Sequence, residues 1–233
     1  MDGGYEVTTT QKPMKKPIDL NEWSYIMIKD MILRNKIAAG EQIRIENLIN
    51  MLQVSRTPIR EALIRLHNDG LVDVFPHVGY YVRGFSRDEY HDVFELRLLI
   101  ECHTAEIAAA TMTDEQIRKL KIVNERGEIA IEDNDEEAMN KYEIEFHNTL
   151  IAHSGNQQII KVMANISDYI SRGRMIALRS RENIMLSFQE HLKVIHAIEQ
   201  HSPEKAKRAM AEHIRRVEDR LSTLIEFVDE KKA

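Results

Sequence analysis

Glu143 and His147 are the pair of residues in this sequence best placed to hold a metal ion. They stand four residues apart in EIEFHNTLIAHSGN, which covers 143–156, so a helix through this segment carries both side chains on one face. Carboxylate and imidazole groups together suit zinc, nickel, iron or manganese. Nothing in the local sequence links this pair to a further ligand, however. In a chain with ten histidines, a solvated or hydrogen-bonded ring is the better explanation for any single one.

A second group of residues, Arg56, Thr57 and Arg60, has the chemistry of nucleic-acid recognition. Ser55 is placed to cap a helix, and Pro58 falls in its first turn, where a missing N–H leaves no intrahelical bond unmade. The apolar residues of this predicted helix, which covers 56–68, are Ile59, Ala62, Leu63 and Leu66. The two arginines and Thr57 therefore lie at its outward N-terminal end, the part that a recognition helix presents to a major groove. Without further evidence, a solvated helix face is the better explanation of the arginines.

The neighbouring segments complete a winged helix-turn-helix. Asp19 is placed to cap a first helix that ends near Asn35, and residues 45–52 form a short second helix before the turn at 53–54. After the recognition helix, apolar segments at 71–75 and 80–82 flank a Pro-His-Val-Gly turn. This pattern predicts two short strands joined as a β-hairpin, the wing.

The rest of the chain predicts helices almost throughout. Capping residues recur between apolar segments with helical spacing, and Pro203 is the only proline after Pro76. We expect helices to start at Ser86, Thr113, Asn134 and Asn156, near Ser187, and at Ser202 with Pro203. The predicted fold is therefore mainly α: an N-terminal winged helix-turn-helix with a small β-hairpin wing, followed by an all-α bundle of six to seven helices.

The composition is that of a soluble globular protein, with 43% hydrophobic and 30% charged residues in 233. No stretch approaches the roughly 20 apolar residues of a transmembrane helix. The N-terminal segment has clustered lysines without an apolar run after them, so we expect a cytoplasmic protein that does not associate with membranes. Its single cysteine, Cys102, cannot form an intramolecular disulfide and is expected in the core.

Charge is distributed unevenly along the chain. Residues 1–83 carry eleven Lys/Arg against ten Asp/Glu, a balance near +1, whereas residues 84–233 carry twenty-one against twenty-eight, a balance near −7. This asymmetry permits DNA binding through a local basic surface of the first part, although the charge alone does not establish it.

The N-terminal part resembles the DNA-binding domain of GntR-type regulators. The resemblance rests on VSRTPIREAL at 54–63 and NDGLVDVFPHVGYYV at 68–82, in their places between a helix and a wing. It implies a homodimer on a palindromic operator. The residues that it places at the DNA are Arg44, Ser55, Arg56, Thr57, Arg60, His77 and Gly79. Among them Arg56 and Arg60 are expected to reach bases or phosphates, since arginine can chelate guanine bidentately, and Gly79 is expected at the wing tip in the minor groove.

The C-terminal part is similar to the ligand-binding domain of the FadR-like branch of that family, the FCD type. The similar segments are VFELRLLIE at 93–101, EIEFHNTLIAHSGN at 143–156, EHLKVIHAI at 190–198 and AKRAMAEHI at 206–214. The resemblance implies one divalent metal ion per chain, bound by Glu143, His147, His191 and His213. Members of the family more often have aspartate at the first of these positions, and glutamate is one methylene longer.

The same resemblance implies a small organic acid as effector, bound at the metal and steadied by arginine. Arg97 is the best candidate, with Arg172 and Arg174 as further ones. The alternative for Arg97 is an intrahelical ion pair with Glu101, four residues later. The sequence does not decide between these roles.

Together these observations predict a ligand-responsive DNA-binding regulator, most simply a repressor, and not an enzyme. Glycine-rich phosphate loops and nucleophile elbows are absent from the sequence. Two alternatives remain: a regulator that senses the metal itself, and a helical metalloenzyme attached to a DNA-binding anchor. The expected organisation is a flexible arm at 1–18, the winged helix-turn-helix at 19–83, a linker at 84–86, the helical ligand-binding and dimerisation domain at 87–228 and a tail at 229–233.

Overall fold

The computed structural model describes residues 19–178, 180–225 and 227. The described chain divides into two compact units, one of which contains residues 41–83 together with the chain as far as Met31. The other contains residues 32–40 and the chain from Gly84 onward. The predicted arm at 1–18 and tail at 229–233 lie outside the described residues.

The described part of the first unit contains three helices and three short strands. They are α1 (Leu20–Leu33), β1 (Gln42–Ile43), α2 (Ile45–Leu52), α3 (Arg56–Asn68), β2 (Val72–Phe75) and β3 (Gly79–Val82). The strands form an antiparallel sheet in the order β1-β3-β2, with Val74 opposite Tyr80 across the hairpin. The predicted wing is thus confirmed. Strand β1 was not predicted, because two residues are too few to show an alternating pattern.

Local sequence accounts for the helices of this unit. The Asp19 carboxylate accepts hydrogen bonds from the backbone N–H groups of Asn21 and Glu22, as an N-cap does. Helix α1 ends at Leu33, two residues before the expected end, and Asn35 has a positive φ of 52° that a helix cannot continue through. Ser55 occupies the N-cap position of α3 in extended conformation, without a hydrogen bond from its side chain to the helix.

The described part of the second unit contains six helices, which agrees with the predicted bundle. They are α4 (Arg87–Thr111), α5 (Asp114–Glu132), α6 (Glu136–His153), α7 (Gln157–Ala177), α8 (Arg181–Glu199) and α9 (Pro203–Ser222). Phe146, Leu150, Ile195 and Ile214 belong to a buried apolar cluster that also contains Cys102, as expected. Burial raises the pKa of the Cys102 thiol to about 11.

Most of the predicted helix starts are confirmed. Thr113 and Gln116 form a complete capping box, and Ser86 and Asn156 accept backbone N–H bonds at the starts of α4 and α7. The start near Ser187 is wrong, since α8 begins at Arg181 with Ser180 as its cap. Ser187 lies inside α8, where its hydroxyl donates to the Asn183 carbonyl one turn earlier.

Two further starts need small adjustments. Helix α6 is capped by Asp135, whose carboxylate accepts the Ala138 N–H, one residue after the expected Asn134. Asn134 instead takes a positive φ of 54° in the preceding turn. At α9, Ser202 has the N-cap position and Pro203 the first turn, but the Ser202 side chain makes no capping bond. Among the described residues, no helix is both long and apolar enough to cross a bilayer.

Candidate metal centre and DNA-binding surface

Three histidines from three helices meet inside the helical unit. His147 comes from α6, His191 from α8 and His213 from α9, and one ring nitrogen of each lies within 4.8 Å of the others. The Nε2 atoms of His147 and His213 are 3.4 Å apart. All three side chains are buried. Imidazole nitrogens converging at this spacing form the kind of donor set that binds a divalent transition metal.

Carboxylates orient two of the three rings. The Nδ1–H of His147 donates to Glu101 Oε2 over 2.5 Å, and the Nδ1–H of His213 donates to Glu190 Oε2 over 3.0 Å. A bond at Nδ1 leaves Nε2 as the atom available to a metal, and histidine ligands of metals are commonly held this way. The protein therefore fixes both the tautomer and the ring orientation of His147 and His213.

His191 has no such partner. Its ring is fully buried, and within the described residues neither ring nitrogen makes a hydrogen bond. The ring is stacked on Phe146, with centroids 3.8 Å apart and 12° between the planes. Buried polar atoms almost always have a partner, because an unpaired one costs free energy. A metal ion at the three histidines would satisfy a nitrogen of His191, so the residues fit the group that the family resemblance implies.

Glu143 lies at the edge of this cluster. Its Oε1 is 3.6 Å from His147 Nε2, and its other oxygen forms an ion pair with the Nε of Arg174 on α7. Burial alone would raise the pKa of Glu143, but Arg174 and His147 outweigh it and hold the pKa well below its ordinary value. Glu143 is therefore an ionised carboxylate beside the histidines, with Arg174 as its partner.

The two orienting carboxylates are themselves held by arginines. Arg97 Nε donates to Glu101 over 2.7 Å, and Arg220 donates to both oxygens of Glu190 over 2.8 and 2.9 Å. Burial opposes ionisation of Glu101, but Arg97 and His147 keep its pKa below the ordinary value. Burial likewise opposes ionisation of Glu190, whose pKa is lowered to about 2 by Arg220 and His213. Both carboxylates remain charged acceptors.

The protonation of the rings follows from these surroundings. Burial, together with the charge of the neighbouring imidazoles, lowers the pKa of His191 well below its ordinary value, and burial also lowers that of His213. Burial would lower the pKa of His147 too, but the adjoining Glu101 and Glu143 carboxylates outweigh it and raise the pKa. Two neutral imidazoles are thus ready to bind a metal without first losing a proton.

The expected effector arginines differ in their positions. Arg97 and Arg174 line two clefts of the helical unit, which hold about 480 and 410 Å³ of space between atoms, including solvent at their mouths. Arg97 also makes the ion pair with Glu101 that was its alternative role, so it has a partner within the protein as well as access to a cleft. Arg172 is stacked over the Phe85 ring at 4.3 Å.

The supporting residues of the cluster were not predicted from the sequence. Glu101 was considered only as a partner of Arg97, and Glu190 and Arg220 were not singled out. The spacing of four residues between Arg97 and Glu101 was a usable signal for a buried pair. Glu190 and Arg220 come from different helices thirty residues apart, and no local pattern connects them.

The proposed DNA-contacting residues lie at the surface of the first unit. Exposed side chains are those of Arg44, Ser55, Arg56, Thr57, Arg60 and His77. Arg56 forms an ion pair with Glu46 on α2. At the wing tip, Gly79 has a φ of +140°, and a Cβ there would lie 3.1 Å from the amide nitrogen of the Gln42 side chain. That amide donates to the Val78 carbonyl over 3.2 Å, so the tip is packed closely around this glycine.

Comparison with known families accounts for both units. Residues 24–82 match the bacterial regulatory proteins of the gntR family, and residues 92–216, more than half of the chain, match the FCD domain. The chain belongs to the GntR family of transcription regulators. The family resemblance that the sequence predicted is therefore confirmed, and with it DNA binding as the activity of the protein.

Individual relatives of this GntR regulator agree. The Nta operon transcriptional regulator of Aminobacter aminovorans is 30% identical over 80% of this chain and 87% of its own length. The HTH-type transcriptional repressor RspR of Escherichia coli K12 is 24% identical over 91% of this chain and 92% of its own. These relatives are regulators and not enzymes, as predicted. The structure of E. coli McbR/YncC, 17% identical, has the same fold, with a TM-score of 0.71 over 89% of this chain and 99% of its own.

Proposed function

We propose that this GntR-family protein is a repressor that binds a palindromic operator as a homodimer, and that its FCD domain holds one divalent metal ion and a small carboxylate effector. The observation that carries the proposal is the cluster of His147, His191 and His213. Two of its rings are oriented by carboxylates, and the third has buried nitrogens without a hydrogen-bond partner. The relative RspR is itself named a repressor.

The DNA-binding surface is the N-terminal end of α3 together with the wing. Arg56 and Arg60 are exposed there, one turn apart, where a recognition helix meets base edges and phosphates. Ser55, Thr57 and Arg44 supply hydroxyl and guanidinium donors suited to phosphate oxygens. His77 and Gly79, at the exposed wing tip, are placed to reach an adjacent minor groove.

The metal centre uses the Nε2 atoms of His147 and His213 together with a nitrogen of His191. Zinc, nickel, iron and manganese all suit three imidazoles with a carboxylate nearby. When bound, the metal would supply a positive charge that attracts a carboxylate. Glu143 is the fourth candidate ligand, but its present partner is Arg174, so it contributes less than the histidines do.

The effector is steadied by Arg97 and Arg174. Both line the two clefts, and a guanidinium binds a carboxylate through two parallel hydrogen bonds. Each arginine is at present paired with a glutamate of the protein. A carboxylate effector therefore competes with Glu143 for Arg174, which connects effector binding to the side chain beside the metal site.

Metal analysis tests the centre directly. Purified protein should carry close to one divalent ion per chain, and His191→Ala or His213→Ala should lose most of it, because each removes a ligand. Glu143→Ala should lose less. His153→Ala on α6 is the matched control, since His153 bonds to Thr111 Oγ1 over 2.8 Å, and it should keep the wild-type content.

Two results would contradict the proposed metal centre or its role. Full metal content in the double variant His191→Ala/His213→Ala would show that the ion is bound elsewhere. Operator affinity that follows the free metal concentration, with no response to carboxylates, would identify the protein as a metal sensor instead.

A further inference from the structure

We infer that Gly127 is a positioning residue for the metal centre: it gives the Phe188 ring the space from which that ring fixes the orientation of His191. The inference rests on the proposed function of the histidine cluster and adds to it the residue that sets the third ligand. Gly127 lies in the middle of α5 and is itself far from any metal ligand in sequence.

His191 depends on packing for its orientation. His147 and His213 are each held by a carboxylate, whereas the nitrogens of His191 have no hydrogen-bond partner in the described chain. The His191 ring is stacked against Phe146 on one side, and Phe188 meets it edge to face, with centroids 5.5 Å apart and 76° between planes. Movement of either phenyl ring therefore moves the histidine, because no polar contact holds it in place.

Gly127 is the residue over which the Phe188 ring lies. A Cβ built at position 127 would be 2.0, 2.3 and 2.8 Å from three carbons of that ring, far inside van der Waals contact. A glycine in a helix interior destabilises the helix relative to alanine, so its presence there calls for a packing reason. The close approach of Phe188 supplies that reason.

A displacement of the Phe188 ring disturbs the side chains packed around it. It is fully buried in an apolar cluster that also contains Ala130, Ile131, Met139, Leu178 and Ile184. Interiors packed this closely transmit a displacement to the neighbouring side chains. Phe188 and His191 are three residues apart on α8 and share one face, so the displaced ring acts on the histidine first.

The substitution Gly127→Ala tests this chain of contacts. We expect it to lower metal affinity by about 10-fold to 100-fold, the usual effect of removing a residue that orients a ligand, measured by competition with a chelator. The absorption spectrum of the Co²⁺-substituted protein should change as well. Gly173→Ala is the matched control: it is also inside a helix, but its new Cβ would be 3.5 Å from Leu221 Cδ1, an ordinary contact, so affinity should stay at the wild-type value.

A second substitution separates positioning from general damage. The double variant Gly127→Ala/Phe188→Leu removes ring carbons where the methyl group is added, so it should bind metal more tightly than Gly127→Ala alone, but still below wild type because the ring that orients His191 is gone. In metal-free protein, the ring proton resonances of His191 carry the ring-current shift of the stacked Phe146. Gly127→Ala should move them and leave those of His213 in place, because Glu190 still holds that ring.

The experiments test the role of Gly127 and the existence of the metal centre separately. Folded Gly127→Ala protein with wild-type metal affinity and unchanged His191 resonances would overturn the role of Gly127. If Gly127→Ala does not fold, Phe188→Leu alone carries the test: it should shift the His191 resonances and weaken metal binding, and unchanged values would overturn the inference. Wild-type protein that binds no metal would refute the metal centre, while the resonances would still decide whether Gly127 positions His191.

Discussion

Arg56 and Arg60 belong to the same helix end but have different surroundings. The Arg56 guanidinium is paired with Glu46 on the neighbouring helix, and both side chains are well exposed. Exposed ion pairs of this kind are weak, about 0–1 kcal/mol, so a phosphate or a guanine can displace Glu46 at little cost. Arg60, one turn further along α3, is exposed as well. Both arginines are therefore available to an operator.

Replacing either arginine by alanine should weaken binding to a specific operator by about 1–3 kcal/mol, because each can make a bidentate contact to a base. Fluorescence anisotropy with a defined operator and a scrambled duplex measures the effect. Arg65→Ala on the same helix is the control, since Arg65 pairs with Glu22 and lies over the Tyr25 ring. Equal weakening on both duplexes would mean that the arginines contact phosphates only, and unchanged affinity would remove them from the interface.

The residues of the proposed metal centre were predictable to different degrees. Glu143 and His147 could be selected from their spacing in one helix. His191 and His213 are on other helices, and only the family resemblance connected them with His147. Neither local spacing nor the family resemblance pointed to the orienting partners Glu101 and Glu190. The contact of Glu101 with His147, for example, joins positions forty-six residues apart. Such contacts are set by helix packing, on which local sequence has little influence.

At the scale of helices and strands, prediction succeeded where a capping residue precedes a long apolar pattern. Thr113 shows this, since its hydroxyl and the Gln116 side chain satisfy each other's backbone groups as the sequence implied. Prediction failed at Ser187, because serine can also bond to a carbonyl one turn earlier inside a helix. Strand β1 was not predicted because it is defined by its pairing with β3 and not by a local sequence pattern.

Helices α4 and α9 are joined by a buried phenol that can be titrated. Tyr90 is 1% exposed, and its hydroxyl donates to the Glu218 carbonyl over 2.6 Å. Burial raises the pKa of Tyr90, and the carboxylate of Glu218 raises it further. The neutral phenol therefore stabilises the fold fully below pH 10, the ordinary value, and this stabilisation is lost as the pH rises above it.

Tyr90→Phe should lower the free energy of unfolding of the helical unit by about 1 kcal/mol at pH 8, the usual net value of one hydrogen bond. At pH 10.5 the difference from wild type should shrink. The phenol of the unfolded wild-type chain then ionises while that of the folded protein stays neutral, which lowers the free energy of unfolding. The Tyr90→Phe variant has no such group, so its free energy of unfolding does not fall for this reason. Urea unfolding followed by circular dichroism at the two pH values measures both. A difference that stays constant with pH would contradict the shifted pKa.

At the scale of the whole molecule, the proposed response to an effector requires that ligand binding in the helical unit affect the DNA-binding unit. The chain passes from Arg83, the last residue of the first unit, to Phe85 in the core of the second. Phe85 packs edge to face on Tyr169, with centroids 5.2 Å apart, and the Tyr169 hydroxyl donates to the Ser86 carbonyl over 3.4 Å. Phe85, Tyr169 and Arg97 line the same cleft, so a ligand there contacts the start of the helical unit directly.

A carboxylate that binds in this cleft should change operator affinity by about 1–3 kcal/mol, the usual size of an allosteric coupling. The physical requirement is differential affinity, since a ligand that binds two arrangements of the dimer equally cannot shift their populations. Phe85 and Ser86 lead into α4, which also carries Arg97, so a ligand held by Arg97 can alter the separation of the two recognition helices in the proposed dimer. Operator half-sites lie at fixed spacing, which makes that separation energetically relevant.

Calorimetry with a panel of small carboxylates on metal-loaded protein, followed by operator titration with and without the tightest binder, measures the coupling. Arg97→Ala should weaken carboxylate binding, whereas Arg97→Lys keeps a positive charge beside Glu101 and separates loss of the ligand contact from damage to the support of His147. Metal content is measured for both variants, because a lost ion would also abolish binding. If a carboxylate binds the wild-type protein tightly and operator affinity at saturation is unchanged, the cleft is not the regulatory input and the coupling does not exist.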